Sequence, residues 1–284
     1  MRRIKTRGGT QFWADRLIVD DHRIQEHVRF GRARVLDAAD YRLHTGSSVD
    51  DAREAFERHV PRSKQRGSHL VVLLHGYGGK ATRMSPLRDA VREAGMRAEV
   101  VQYPSLFRTI DETASSIVDL VGASAAAHGE VQTVSMVGFS MGGLVASQVM
   151  RRLNDRRDSP KIGRLVTIGT PHGGSRIADL FKPLTFLGGP NVSELAHSSR
   201  QAFGHLKGLR VPVGVVAGVG HFNGWRLLGL VGEGDGIVPV ESALAVPGAC
   251  EFVVQGVKHL GLPEDESVIR AVVRFLRGGD LVPG

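Results

Sequence analysis

The turn between residues 138 and 142 constrains the fold of this chain more than any other feature. A β-branched, apolar run over Val131–Val137 leads into Gly138-Phe139-Ser140-Met141-Gly142-Gly143, and an apolar helical pattern over Leu144–Leu153 leads out of it. The run predicts a buried strand, and the pattern predicts a helix. The chain must turn so sharply between them that a Cβ atom at position 138 or 142 would collide with neighbouring backbone, which accounts for the glycines. Ser140 is therefore predicted to stand clear of the sheet.

Strand and helix patterns alternate along most of the remaining chain. Predicted strands cover residues 69–74, 98–102, 131–137, 164–168, 211–219 and 251–254, and predicted helices cover 86–94, 110–128, 144–153 and 268–276. Such alternation is typical of an α/β protein with a mostly parallel central sheet that is flanked by helices on both faces. The length of 284 residues favours one large domain of this class.

Two segments depart from the alternation. Residues 1–66 are rich in arginine and are predicted to form an N-terminal extension packed on the main domain of residues 67–284, with a strand-like stretch over His27–Leu43 and a short helix over Val49–His59. Residues 175–209 are predicted to form a cap, or lid, because long insertions in compact domains usually serve function. An ordinary packed connection is the alternative. The candidate pocket residues on this lid are Leu180, Phe181, Leu184, Phe186 and Leu187.

Charge and cysteine content narrow the choice of partner and compartment. The net charge is +8, but the basic residues are scattered along the sequence without an accompanying aromatic-basic platform, so we expect no nucleic-acid partner. Weak contact with an anionic membrane surface remains open. A lone cysteine, Cys250, excludes an intrachain disulfide and is expected in a buried strand. Since neither a signal core nor a run of roughly 18 apolar residues is present, we expect a cytoplasmic protein.

Three residues with complementary chemistry follow predicted strands. A serine hydroxyl needs a base to become a good nucleophile, and histidine is the usual base. His259 comes soon after the strand over 251–254, and Asp235 lies in a glycine-dense loop before it, with Glu233 as the nearest rival acid. Because the carboxyl ends of parallel strands share one edge of a sheet, these side chains are expected to meet Ser140 there.

Backbone amides are the expected donors for an oxyanion on a substrate attacked by Ser140. The N–H of Met141 follows the turn directly, and the N–H of Tyr77 lies in the loop His75-Gly76-Tyr77-Gly78-Gly79, which follows the first strong strand. The remaining histidines are too dispersed for a zinc site, and no calcium-ligand pattern appears, so neither a metal nor another cofactor is predicted.

These ordered motifs resemble those of α/β-hydrolases of the bacterial lipase and esterase type, from about His69 to the C-terminus. The segment Thr167-Ile168-Gly169-Thr170-Pro171-His172-Gly173-Gly174-Ser175 is similar to the Thr-Pro-His-x-Gly-Ser segment of those enzymes. The order Ser140, Asp235, His259 is the order that the family uses for its catalytic triad. The resemblance implies that His172, and His75 beside the oxyanion loop, are structural.

The resemblance implies a serine hydrolase that cleaves carboxylic esters of small or lipid-like molecules through an acyl-enzyme on Ser140. An acyl-thioesterase or an acyltransferase would use the same triad, so both remain open. The alternatives from another class are a catalytically silent hydrolase fold that only binds and a peripheral membrane protein.

Overall fold

The computed structural model describes residues 9–156, 160–173, 206, 209–220 and 233–282. Its strands, in chain order, are β1 (Trp13–Val19), β2 (His22–His27), β3 (Ala33–Leu36), β4 (Arg42–Gly46), β5 (His69–Leu74), β6 (Arg97–Val101), β7 (Thr133–Phe139), β8 (Lys161–Ile168), β9 (Val213–Val219) and β10 (Cys250–Gln255). Its α-helices are α1 (Val49–His59), α2 (Ser85–Glu93), α3 (Ile110–His128), α4 (Met141–Asn154), α5 (Val240–Ala243) and α6 (Glu266–Leu276).

Six strands form the central sheet, in the order β10-β9-β8-β7-β5-β6. Every neighbouring pair in it is parallel. The prediction of a mostly parallel central sheet is therefore confirmed. In a parallel sheet all carboxyl ends of the strands lie along one edge, and loops that follow different strands can meet there.

Helices cover both faces of this sheet, as the pattern of β5 illustrates. Leu70, Val72 and Leu74 belong to the core cluster formed with α3 and α4, whereas Val71 and Leu73 belong to the cluster formed with α2 and α6. Successive side chains of a strand point to opposite faces, so a strand covered on both sides is apolar throughout. This accounts for the uninterrupted apolar run that predicted the strand.

Helix boundaries follow local capping chemistry. Helix α3 begins after Thr109, whose hydroxyl accepts the Glu112 N–H while the Glu112 carboxylate accepts the Thr109 N–H, and it ends at Gly129 with φ of 78°. This capping box and glycine C-cap satisfy backbone groups that a helix end leaves unpaired. The predicted bounds of this helix, 110–128, are confirmed, as are those of α1, which begins after the N-cap Ser48.

The N-terminal segment forms a second, antiparallel sheet in the order β1-β2-β3-β4. The predicted strand-like stretch over His27–Leu43 is wrong, because turns after His27 and after Leu36 divide it between β2, β3 and β4. Strands β1 and most of β2 were not predicted. They carry charged or amide residues at positions that are buried, such as Asp15, Arg23 and Gln25, and this polarity hides the strand pattern.

Helix α1 covers one face of the N-terminal sheet. Its Ala52, Ala55 and Phe56 pack with Ile24 and Val35 of the sheet in one apolar cluster. Strand β1 connects the N-terminal sheet to the main domain beside the edge strand β6. The Asp15 N–H donates over 3.0 Å to the carbonyl of Gln102, the residue that follows β6. The division of the chain at residue 66 into an extension and a hydrolase domain stays a prediction.

Aromatic and basic residues gather on the N-terminal sheet, contrary to the expectation of no aromatic-basic platform. The guanidinium of Arg34 lies 3.9 Å from the ring centroid of Trp13, and that of Arg29 lies 5.9 Å from the ring centroid of Phe30. Arg34 and Trp13 come from different strands, β3 and β1, so the sequence pattern does not reveal their contact.

Two other predictions concern Cys250 and the lid segment. Cys250, expected to be buried, is the first residue of β10 and is only half-buried, with the Leu281 N–H 3.3 Å from its sulfur. All five candidate lid residues between 180 and 187 lie outside the described residues, as does most of the segment 175–209. Among the helices that the structure describes, none has the length and apolarity required to cross a bilayer.

Candidate active site

The turn at Ser140 has the predicted steric basis. A Cβ atom on Gly138 would lie 2.4 Å from the Gly142 carbonyl oxygen, and one on Gly142 would lie 2.5 Å from the carbonyl oxygens of Leu74 and His75. These neighbours are backbone atoms, which cannot move aside as a flexible side chain can. Ser140 itself has φ of 54° and ψ of −126°, a conformation that L-residues rarely adopt. The surrounding backbone therefore holds a strained serine between β7 and α4.

A continuous line of hydrogen bonds joins the three predicted polar residues. The Ser140 hydroxyl oxygen lies 3.0 Å from Nε2 of His259, and Nδ1 of His259 lies 2.7 Å from Oδ2 of Asp235. His259 and Asp235 are 4% and 2% exposed, whereas Ser140 is half-buried. With Nδ1 protonated toward the carboxylate, Nε2 is left as an acceptor that faces the serine hydroxyl.

The loop that carries Asp235 fixes this carboxylate through backbone groups. Its Oδ1 accepts the N–H groups of Ile237 and Val238 over 2.9 and 2.7 Å, which leaves Oδ2 for His259. The carbonyl of Asp235 also accepts the N–H of His259 over 2.9 Å, so the two loops are tied together by main chain and side chain. The rival acid, Glu233, is exposed and begins the same loop, and the structure places Asp235 rather than Glu233 against the histidine.

The loop after β5 lies beside the serine, as expected for the predicted oxyanion donors. A Cβ atom on Gly76 would lie 3.0 Å from the Cβ of Ser140, so the backbone of this loop passes the serine at contact distance. Tyr77 is the next residue and packs against the core cluster that contains α3 and α4. Met141 is buried and is the first residue of α4. The first N–H groups of a helix have no partner within the helix, so the Met141 amide is available by its position.

His75 lies beneath this loop and is held by its neighbours. Its Nδ1 lies 2.8 Å from the Gly76 carbonyl oxygen, its Nε2 lies 3.3 Å from the side-chain nitrogen of Gln102, and its ring stacks on Tyr103 at 4.2 Å. The Tyr103 hydroxyl donates to the His75 carbonyl. Complete burial lowers the pKa of His75 to about 4, which keeps the ring neutral near pH 7. The contacts are those of a residue that shapes the loop.

The segment after β8 contributes three further residues to the site. The Thr170 hydroxyl donates to the Ser140 carbonyl over 2.9 Å, and His172 is buried with its Nε2 2.9 Å from the Thr167 hydroxyl. Gly169 lies close to Asp235 and His259, since a Cβ atom on it would lie 3.1 Å from the Asp235 carboxylate and 3.2 Å from the His259 ring. Sequence reasoning assigned no role to Thr170, Gly169 or Gln102. All three follow the carboxyl end of a strand, β8 or β6, and residues at such positions are candidates for the site in a parallel sheet.

Metal-binding side chains do not cluster in the described part of the chain. Within residues 9–156, 160–173, 209–220 and 233–282, His, Cys, Asp and Glu side chains nowhere gather as a group of three that could hold an ion.

A family model and several solved structures resemble this chain. The model described as palmitoyl protein thioesterase matches residues 70–199, under half of the chain. That stretch contains the loop after β5 and the turn at Ser140 but ends before Asp235 and His259. No curated protein matches the chain.

The solved structures share the fold at low sequence identity. The mature Bacillus licheniformis lipase BlEst2 is 19% identical, with a TM-score of 0.63 over 76% of this chain and 95% of that one. The product of gene lin2722 from Listeria innocua is 19% identical, with a TM-score of 0.55 over 75% and 95% of the two chains. Est1E from Butyrivibrio proteoclasticus is 16% identical, with a TM-score of 0.55 over 78% and 90%. Since all three are under 25% identical, the likeness shows a shared fold, a mostly parallel six-stranded sheet that is flanked by helices.

The buried His75 predicts a pH dependence of stability. An unfolded histidine binds a proton below about pH 6.5, whereas His75 in the folded chain binds one only near pH 4. The unfolded state therefore holds more protons between these values, and the free energy of unfolding should fall by up to about 1.4 kcal/mol per pH unit as the pH drops through this window. Urea unfolding of the wild type and of His75→Gln at several pH values measures this, and the variant should lose that part of the slope.

His59→Gln provides the control, because His59 is exposed at the end of α1. This variant should retain the slope of the wild type. Equal slopes in the wild type and His75→Gln would show that His75 titrates as in the unfolded chain.

Proposed function

We propose that this protein is a serine hydrolase that cleaves carboxylic esters through an acyl-enzyme on Ser140. The observation that carries the proposal is the line of contacts of 3.0 and 2.7 Å that joins the Ser140 hydroxyl, His259 and Asp235. A nucleophile, a base and an orienting acid at hydrogen-bond distances form the minimal unit for activation of a serine hydroxyl. The resemblance to a lipase and to Est1E in fold agrees with this activity.

The mechanism follows from the placement of these groups. Ser140 Oγ attacks the ester carbonyl carbon as His259 Nε2 takes the hydroxyl proton, and the buried Asp235 stabilises the imidazolium that forms. When the tetrahedral intermediate collapses, the C–O bond to the alcohol breaks and His259 returns the proton to the leaving oxygen. A water molecule then attacks the acyl carbon as His259 Nε2 takes one of its protons. The bond between the acyl carbon and Ser140 Oγ breaks and His259 returns the proton to Oγ, which releases the acid and restores the serine.

The oxyanion of each tetrahedral intermediate needs donors that are already in place, because the loss of one donor costs about 2.7 to 4 kcal/mol in other serine hydrolases. We assign this task to the backbone N–H groups of Met141 and Tyr77. The contact of Gly76 with Ser140 brings the loop before Tyr77 to the nucleophile, and the start of α4 adds the favourable end of the helix dipole.

A thioesterase is the second candidate, favoured by the match of residues 70–199 to the palmitoyl protein thioesterase model. The acyl-enzyme would be the same, and only the leaving group would change from an alcohol to a thiol. The triad accommodates both reactions. A substrate series therefore distinguishes the two leaving groups.

Removal of the nucleophile gives the first test of the proposal. Ser140→Ala should abolish labelling by a fluorophosphonate probe and reduce ester turnover to background, because the variant lacks the attacking oxygen while its fold is retained. Labelling is measured by fluorescence in a denaturing gel. Ser147→Ala is a matched control, since Ser147 lies on α4 with its hydroxyl bonded to the Gly143 carbonyl. Undiminished labelling of Ser140→Ala would place the nucleophile elsewhere.

The acid can be tested against its rival. Asp235→Asn should lower kcat by up to about 10⁴ with the fold intact, because an amide at this position favours the wrong tautomer of His259. Glu233→Gln should leave kcat within a factor of about two, since the Glu233 side chain is exposed. Steady-state turnover of a p-nitrophenyl ester measures both variants. The reverse ranking would make Glu233 the acid.

Matched oxygen and sulfur substrates separate the two candidate activities. The esterase proposal predicts that kcat/KM for p-nitrophenyl esters, followed from acetate to palmitate, exceeds that for acyl-thioesters of the same chain length. Ser140→Ala should remove both activities, which ties each to the same site. A consistent preference for thioesters across the series would instead identify the protein as a thioesterase.

A further inference from the structure

The face of the N-terminal sheet opposite α1 carries aromatic and cationic side chains in register. Trp13 of β1 pairs with His27 of β2, and Arg34 of β3 pairs with Thr45 of β4. Side chains alternate between the faces of a strand, and Ala33 and Val35, which flank Arg34, pack against α1. Arg34 therefore lies on the other face, where Trp13, Phe30, Arg32, Arg34 and Arg42 line a cleft of about 250 Å³.

A row of rings runs along the border of this face. Phe107 stacks on Phe12 with centroids 5.3 Å apart, Phe12 stacks on His27 at 5.9 Å, and His27 contacts Phe30 at 4.8 Å. The three phenylalanines are 50%, 44% and 67% exposed. Large apolar side chains that protrude together into solvent usually mark a surface for a partner.

Exposed arginines surround the rings. Arg29, Arg32 and Arg42 are exposed, and none of them forms an ion pair with a carboxylate among the described residues. The nearest acidic side chain of β2, Glu26, already pairs with Arg16. Burial lowers the pKa of Arg34 to about 10, so this guanidinium also remains cationic at neutral pH. The face combines three exposed arginines with apolar rings.

The row of rings ends next to the site. Gln11, the neighbour of Phe12, donates from its side chain to the Gly79 carbonyl and accepts the Leu106 N–H over 3.1 Å. Ser105, two residues before Phe107, accepts the Gly78 N–H over 2.9 Å. Phe12 and Phe107 thus flank the loop that passes Ser140, at the edge of the central sheet where the carboxyl ends of its strands lie.

We propose that this face docks the protein onto an anionic phospholipid bilayer, with Phe12, Phe30 and Phe107 in the interface and Arg32 and Arg42 on lipid phosphates. Phenylalanine and arginine together suit the boundary between headgroups and acyl chains. A nucleic acid would stack its bases on free ring faces, whereas Phe12 already stacks on both Phe107 and His27. Docking goes beyond ester hydrolysis and would bring the loop beside Ser140 to the lipid surface.

Vesicle sedimentation tests the proposal, with Ser140→Ala as the background so that binding is measured without hydrolysis. The protein should bind vesicles of equal parts phosphatidylcholine and phosphatidylglycerol at low salt, and bind pure phosphatidylcholine at least tenfold more weakly. An arginine near an anionic surface contributes about fivefold to the partition coefficient, so Arg32→Gln with Arg42→Gln should weaken binding about 30-fold. Phe30→Ser should weaken binding to the same vesicles at both low and high salt, since its contribution is apolar.

Matched variants keep the test specific. Arg53→Gln with Arg58→Gln removes two exposed arginines of α1, on the covered side of the same sheet, and Val282→Ser removes an exposed apolar side chain near the C-terminus. Both should bind like the parent. In the Ser140-containing protein, Arg32→Gln with Arg42→Gln should leave turnover of soluble p-nitrophenyl acetate unchanged, which separates docking from catalysis.

Three results would overturn the proposal: no binding to anionic vesicles at low salt, equal binding by the two double arginine variants, or tighter binding to a single-stranded oligonucleotide than to vesicles that depends on Arg32 and Arg42. If the Ser140-containing protein binds vesicles but does not turn over esters, the proposed hydrolase activity is contradicted and the docking proposal is not.

Discussion

The close approach of three backbone segments at residues 138, 142 and 74–75 is the contact on which the rest of the site depends. Gly138 at the end of β7 lies against the start of α4, and Gly142 in α4 lies against the carbonyls of Leu74 and His75 at the end of β5. The same contact that forces Ser140 into its strained conformation also fixes the start of the neighbouring loop. The proposed nucleophile Ser140 and the proposed oxyanion donor Tyr77 are thereby positioned by one steric constraint rather than by two independent ones.

A chain of buried polar groups extends this constraint to the N-terminal sheet. The Asp15 carboxylate accepts hydrogen bonds from Arg23 and from the Gln102 N–H, and Gln102 reaches His75, which holds the Gly76 carbonyl. Burial raises the pKa of the Asp15 carboxyl, and the charge of Arg23 opposes that shift. Buried charges of this kind are tolerated only when they are fully paired, so the N-terminal sheet and the loop beside Ser140 are mutually dependent in structure.

The features that could be predicted from the sequence are those that depend on residues close together along the chain. The glycines around Ser140 and the apolar strands with their helices could be derived because sterics and periodicity act locally. The N-terminal sheet could not, because Asp15 and Arg23 look like surface residues until their partners are known. The same reason hides the row of rings that includes Phe12, His27 and Phe107, which a sheet and a distant loop bring together. The sequence favours Asp235 and leaves Glu233 as its rival, because the choice depends on which carboxylate the loop turns inward. In the structure, two backbone N–H groups hold the Asp235 carboxylate in place.

The order of the strands explains one further requirement of the site. Asp235 and His259 follow β9 and β10, whereas Ser140 follows β7, and β8 lies between them in the sheet. The side chains of Asp235 and His259 must therefore reach across the end of β8 to meet Ser140. Gly169 is the residue at that point, with φ of 55°, and a Cβ atom there would lie 3.1 Å from the Asp235 carboxylate and 3.2 Å from the His259 ring. A side chain would occupy the path between the strands, so the end of β8 has to be bare for the three residues to join.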